Sequence, residues 1–143
     1  MWRRIIAMAT YNYKPGLGNA ASYQVSSQPY LTSSLTVPAS GSDPMEISFP
    51  YVTKFIVITN NTPVGGANIP LRFGISAAGV KGLINNNYGI LNNGQSFEAD
   101  FRVTKIYLMS DDGNQPTVSV IAGLTGIDQR NLVNNWSGST GVG

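Results

Sequence analysis

Glu98 and Asp100 stand two residues apart in a segment, Phe97 to Val103, whose apolar and polar residues alternate. Alternation puts both carboxylates on one face of a strand. A carboxylate pair is the working equipment of a glycosidase, but that chemistry needs the two acids to flank a substrate, about 5–9.5 Å apart across a cleft. Arg102 continues the same face, so an outward polar stripe with local charge pairing is the reading that fits. A second candidate, Asp111-Asp112-Gly113-Asn114, has the residue types of a calcium loop. It lacks the spaced ligands and the distal Glu of that motif, and the same residues are what a turn demands. Gly16-Leu17-Gly18-Asn19 lacks the Lys-Ser/Thr of a phosphate loop and its strand-to-helix setting.

The chain contains neither His nor Cys. Zinc sites of the usual type, thiol nucleophiles, disulfides and Ser-His-Asp relays are thereby excluded. General acid–base work would rest on carboxylates alone, and no persuasive pair offers itself. No catalytic residue, cofactor or metal site is assigned. The expectation is a protein that binds or builds, not an enzyme.

With 143 residues the chain suits one domain. Its hydrophobic fraction of 42% is ordinary for a globular protein, whereas charged residues make up only 11%. Surface polarity must then come from Asn, Ser, Thr and Gln, and weak self-repulsion suits packing against copies of the same chain. A net charge of +2 with scattered basic residues gives no case for nucleic acid. The apolar run ahead of Tyr11 is too short for a signal peptide, and no run approaches a membrane span.

Short apolar segments alternate with turn residues along the middle of the chain. Strands are expected over 31–37, 45–49, 54–59, 71–75, 88–91, 97–103, 105–110 and 117–122. Segment 54–59 is apolar on both faces and reads as a central, doubly covered strand, while Pro50 interrupts the ladder before it. Residues 111–116 read as a hairpin loop. No segment carries a convincing amphipathic helix. About eight strands at this spacing point to a sandwich, either a jelly roll or an immunoglobulin-like Greek key.

The organisation is therefore an extended N-terminal arm (residues 1–28), a β-sandwich domain (29–127) and a flexible C-terminal tail (128–143). A short strand over 22–26 and a helical turn over 128–133 are further expectations. The arm is rich in Gly and Tyr. Aromatic side chains on polar segments need somewhere to be buried, and Tyr and Trp are typical interface anchors. Tyr11, Tyr13, Pro15, Leu17, Tyr23, Val25 and Tyr30 of the arm, with Trp136 near the C-terminus, are the expected assembly contacts.

The run from Lys14 to Ser34, KPGLGNAASYQVSSQPYLTSS, resembles the opening of small virion proteins of large tailed phages and large algal DNA viruses. Three further elements are similar: Phe49-Pro50-Tyr51-Val52-Thr53-Lys54, Lys105-Ile106-Tyr107, and Ala122-Gly123-Leu124-Thr125-Gly126-Ile127. The similarity covers most of the chain, except 60–93, whose Asn- and Gly-rich loops match no such pattern. The resemblance implies an all-β single jelly-roll sandwich of about eight antiparallel strands. It also implies a virion structural role, as a penton or a minor or cement capsid protein. The partners would be copies of itself, as a pentamer or trimer, and other capsid proteins, and the location the virion. The alternative is a carbohydrate-binding β-sandwich module of a virion fibre or receptor-binding protein, with loop Asn, Asp and Tyr residues at its site.

Overall fold

Residues 51–60 place Val52, Ile56 and Ile58 on one face and Phe55, Val57 and Thr59 on the other, and the β-branched majority favours extended backbone. This segment is one of eight strands in the computed structural model, which describes residues 27–83 and 86–128. In chain order the elements are β1 (Gln28–Thr36), β2 (Met45–Ser48), β3 (Tyr51–Asn60), β4 (Leu71–Gly74), α1 (Ala77–Lys81), β5 (Gly89–Leu91), β6 (Ser96–Ala99), β7 (Lys105–Ser110) and β8 (Thr117–Asp128).

Two antiparallel four-stranded sheets result, ordered β1-β8-β3-β6 and β2-β7-β4-β5. The first is called sheet I and the second sheet II. Their inner faces meet in a single apolar core: Ile56, Ile58, Val118, Val120, Ala122 and Leu124 from sheet I against Ile47, Leu71, Leu91, Ile106 and Leu108 from sheet II. Each fully buried branched side chain contributes roughly 1.5–3 kcal/mol of transfer free energy. The chain is thus an all-β sandwich, and β3 lies inside its sheet as expected, but it is covered on one side only: Ile56 and Ile58 face the core, while Phe55, Val57 and Thr59 are half-buried on the outer face.

Four expectations need correction. Residues 111–116 do not form a hairpin, because β7 lies in sheet II and β8 in sheet I. Every connection except β4–β5 crosses between the sheets. The alternation from Phe97 to Val103 outlasts the strand, and β6 ends at Ala99. There the buried Thr53 hydroxyl takes over, donating to Phe101 O at 2.5 Å and accepting from Val103 N at 3.1 Å. The last strand runs on to Asp128, well beyond residue 122. Finally, a short helix exists: the Ser76 side chain caps its start by accepting from Gly79 N, and Gly82 ends it in the left-handed conformation. Five residues are too few to display a helical period.

Buried polar side chains do the joining that charges do in other domains. Asn60, fully buried, donates to Ile69 O (2.9 Å) and Leu91 O (3.0 Å) and accepts from Thr62 N (3.1 Å). Thr125 Oγ1 donates to Val52 O, and Thr62 Oγ1 accepts from Thr117 N. Such groups hold their places because leaving them unpaired in the interior is costly.

Candidate functional site

Antiparallel register places residues of neighbouring strands side by side on one face. On the outer face of sheet I, Leu31 of β1, Ile121 of β8, Val57 of β3 and Glu98 of β6 are successive register partners. The row is apolar over three strands and ends in a carboxylate. Leu31 is 69% exposed and Ile121 43%. The row beside it holds Pro29, Gly123 and Phe55, and the next holds Ser119, Thr59 and Ser96. An apolar band of this kind, flanked on one side by the polar row Ser119, Thr59 and Ser96, is the kind of surface that partners cover. Neither Leu31 nor Ile121 was singled out by the sequence. Ile121 lies inside the apolar run Val118-Ser119-Val120-Ile121-Ala122, where only register reveals which face it takes.

A second feature lies at the other side of the sandwich, where the sheets part between β5 and β6. It is an apolar cleft of about 280 Å³ lined by Phe73, Ile75, Tyr88, Gly89, Phe97 and Phe101, with Ile56, Ile58 and Ile106 at its floor. The rings form a ladder, with centroids of Phe73 and Phe97 4.7 Å apart and of Phe97 and Phe101 5.8 Å apart. Gly89 leaves room for the Phe73 ring, since a Cβ at 89 would stand 2.7 Å from Phe73 Cε1. Arg72 does not line the cleft but stacks on Tyr88, which does. Its Nε donates to Asp111 Oδ1 at 2.6 Å and its Nη1 to Val80 O at 3.0 Å, and its guanidinium sits 4.4 Å from the Tyr88 ring centre.

The residues that raised chemical possibilities are now placed. Glu98 and Asp100 are exposed, and β6 has ended before Asp100 is reached. Asp111 pairs with Arg72, while Asp112 accepts from Asn114 N at 2.8 Å and from the Ser110 hydroxyl. This is turn chemistry. Among the described residues no group of three or more acidic, His or Cys side chains converges on a metal position. Among the described residues two titrating groups are displaced. Burial and a 2.9 Å hydrogen bond to Glu46 push Tyr107 up to about 12. The Lys81 ammonium, bonded to Asp43 at 2.7 Å, holds that exposed carboxyl below its ordinary value.

Of the expected assembly contacts, Tyr30 alone falls among the described residues. It lies in β1, half-buried, with its ring edge-on to Phe49 at 4.9 Å. Tyr11, Tyr13, Pro15, Leu17, Tyr23, Val25 and Trp136 lie outside the described residues, as do the strand expected over 22–26 and residues 129–133. Among the described residues no helix is long and apolar enough to cross a membrane. Comparisons with protein-family models, with curated proteins and with solved structures each find no match to this chain.

Proposed function

We propose that the chain is a virion structural protein. In this reading a single jelly roll assembles with copies of itself and with other capsid proteins, as a penton or a minor or cement component, and residues 1–28 serve as a contact arm. The jelly-roll reading draws on the strand order. In β1-β8-β3-β6 facing β2-β7-β4-β5, first and last strands are neighbours and the chain alternates between sheets. An immunoglobulin-type order would instead pair the first strand with the second.

The observation that carries the assembly reading is the apolar row Leu31–Ile121–Val57 on the outer face of sheet I, in which Leu31 and Ile121 are exposed and Val57 is half-buried. A chain with so few charges raises little electrostatic barrier to bringing such faces together. The test is light scattering coupled to size-exclusion chromatography, on the full chain and on the double variant Leu31→Glu, Ile121→Glu. The wild type is expected as a discrete pentamer or trimer and the variant as a folded monomer with an unchanged thermal midpoint. Deleting residues 1–27 is expected to leave a folded domain that assembles poorly. A wild-type monomer that takes up glycans selectively would overturn the reading in favour of a carbohydrate-binding module.

A further inference from the structure

The sequence has a single Asn-Gly pair, Asn93-Gly94. With no side chain on the second residue to shield it, the Gly94 nitrogen is well placed by chemistry to attack the Asn93 side-chain amide. The Gly94 N–Cγ bond forms, the Cγ–Nδ2 bond breaks, and ammonia leaves with the proton from the Gly94 nitrogen. Water then opens the succinimide at one of its two carbonyls, giving an aspartyl or an isoaspartyl residue. No reactant besides water is needed.

In the fold the attacking nitrogen and both polar atoms of the side-chain amide are engaged elsewhere. Asn93 Nδ2 donates to Pro63 O at 3.0 Å and to Ala67 O at 2.9 Å, and Oδ1 accepts from Ile69 N at 2.9 Å. The nucleophile, Gly94 N, donates to Asn60 O at 2.8 Å, and Asn93 N donates to Asn68 Oδ1 at 3.1 Å. These five bonds, four to the β3–β4 connection and one to the last residue of β3, clamp that connection onto the β5–β6 connection. Cyclisation requires Gly94 N to leave Asn60 and Nδ2 to leave both carbonyls, which means that the connection must first open. The product cannot restore what was broken. A carboxylate at 93 has no N–H to offer Pro63 O and Ala67 O, and it meets two carbonyl oxygens with negative charge.

We propose that Asn93 is a self-deamidation site gated by opening of the β3–β4 connection, and that its product keeps the connection from closing again. The clamp is thus a one-way modification switch. It is independent of any assembly role.

The test incubates the full chain at mildly alkaline pH, native and in denaturing guanidinium, and follows the proteolytic peptide containing Asn93 by mass spectrometry for a gain of about 1 Da with isoaspartyl formation. Unfolded chain is expected to convert at least about tenfold faster than native chain, since native conversion waits on local opening. Equal rates in the two states would overturn the gating. Asn93→Asp, and wild type aged until converted, are then compared with fresh wild type by hydrogen exchange. Loss of protection at the Ile69 and Gly94 amides is expected in both, and the aged sample serves if Asn93→Asp fails to fold. Retained protection in converted protein would overturn the second half of the proposal.

Discussion

Phe55 and Gly123 are register partners on β3 and β8, and the phenyl ring occupies the space a side chain at 123 would need. A Cβ there would stand 2.7 Å from Phe55 Cδ1 and 2.5 Å from Ser27 Oγ. Sheet II repeats the device with Phe73 and Gly89. Gly123→Ala is expected to lower stability by about 1–3 kcal/mol through crowding. Most of that loss should vanish when Phe55→Ala is already present, and a double-mutant cycle by denaturant unfolding reads the coupling. Additive effects would mean that the ring does not set the limit.

Thr53 closes the gap left where β6 stops, bonding both Phe101 O and Val103 N. Thr53→Val keeps the shape and removes both bonds, at a cost of about 1–3 kcal/mol for the stranded groups. Thr53→Ser keeps the hydroxyl and should lose clearly less. Equal losses in chemical denaturation would assign the effect to the methyl group instead.

Asn60 satisfies three backbone groups from the protein interior. Asn60→Leu is expected to destabilise by about 2–3 kcal/mol, because the carbonyls of Ile69 and Leu91 lose their donor. Amide exchange at Thr62 should accelerate alongside. An unchanged Thr62 amide would show that Asn60 does not organise this connection.

Tyr107 carries an alkaline signature. Its folded pKa is raised above the ordinary value of 10 to about 12, so the fold favours the protonated phenol. The stability this supplies is complete below about pH 10 and is lost as pH rises toward 12. Tyrosinate absorbance should show a late transition near pH 12 that is absent from Tyr107→Phe, and that variant should lose less stability between pH 10 and 12. Glu46→Gln should bring the transition to lower pH, because the carboxylate is one of its causes. A transition unmoved by either substitution would leave it to another tyrosine.

The strands themselves were legible because period-two patterning records which residues face the core. β3 was read as central from the run Phe55, Ile56, Val57 and Ile58, and its interior place agrees, although its outer face is only half-buried. Pairing partners were not legible. Asp111 to Pro116 carry the residues of a reversal, and a reversal into the same sheet and one into the opposite sheet use the same turn chemistry. The end of β6 was hidden because Thr53, which ends it, lies 48 residues from Phe101. Arg72 falls within the strand expected over 71–75, but its position between Asp111 and Tyr88 depends on β4 lying between β7 and β5. The apolar row and the cleft are products of register, which no local window of sequence contains.

The place of β8 between β1 and β3 bears on how the domain is born. Until Thr117–Asp128 has been synthesised, β1 has no sheet neighbour among the described residues and β3 has only the four residues of β6. Piecemeal folding on the ribosome is therefore closed to sheet I, and the nascent chain carries the inner-face residues Ile56 and Ile58 without their β8 neighbours Val118, Val120 and Ala122 until that strand emerges. Topologies closed so late fold slowly and pass through aggregation-exposed states. The yield of soluble protein should thus respond more to chaperone supply and growth temperature during synthesis than to the stability of the finished sandwich.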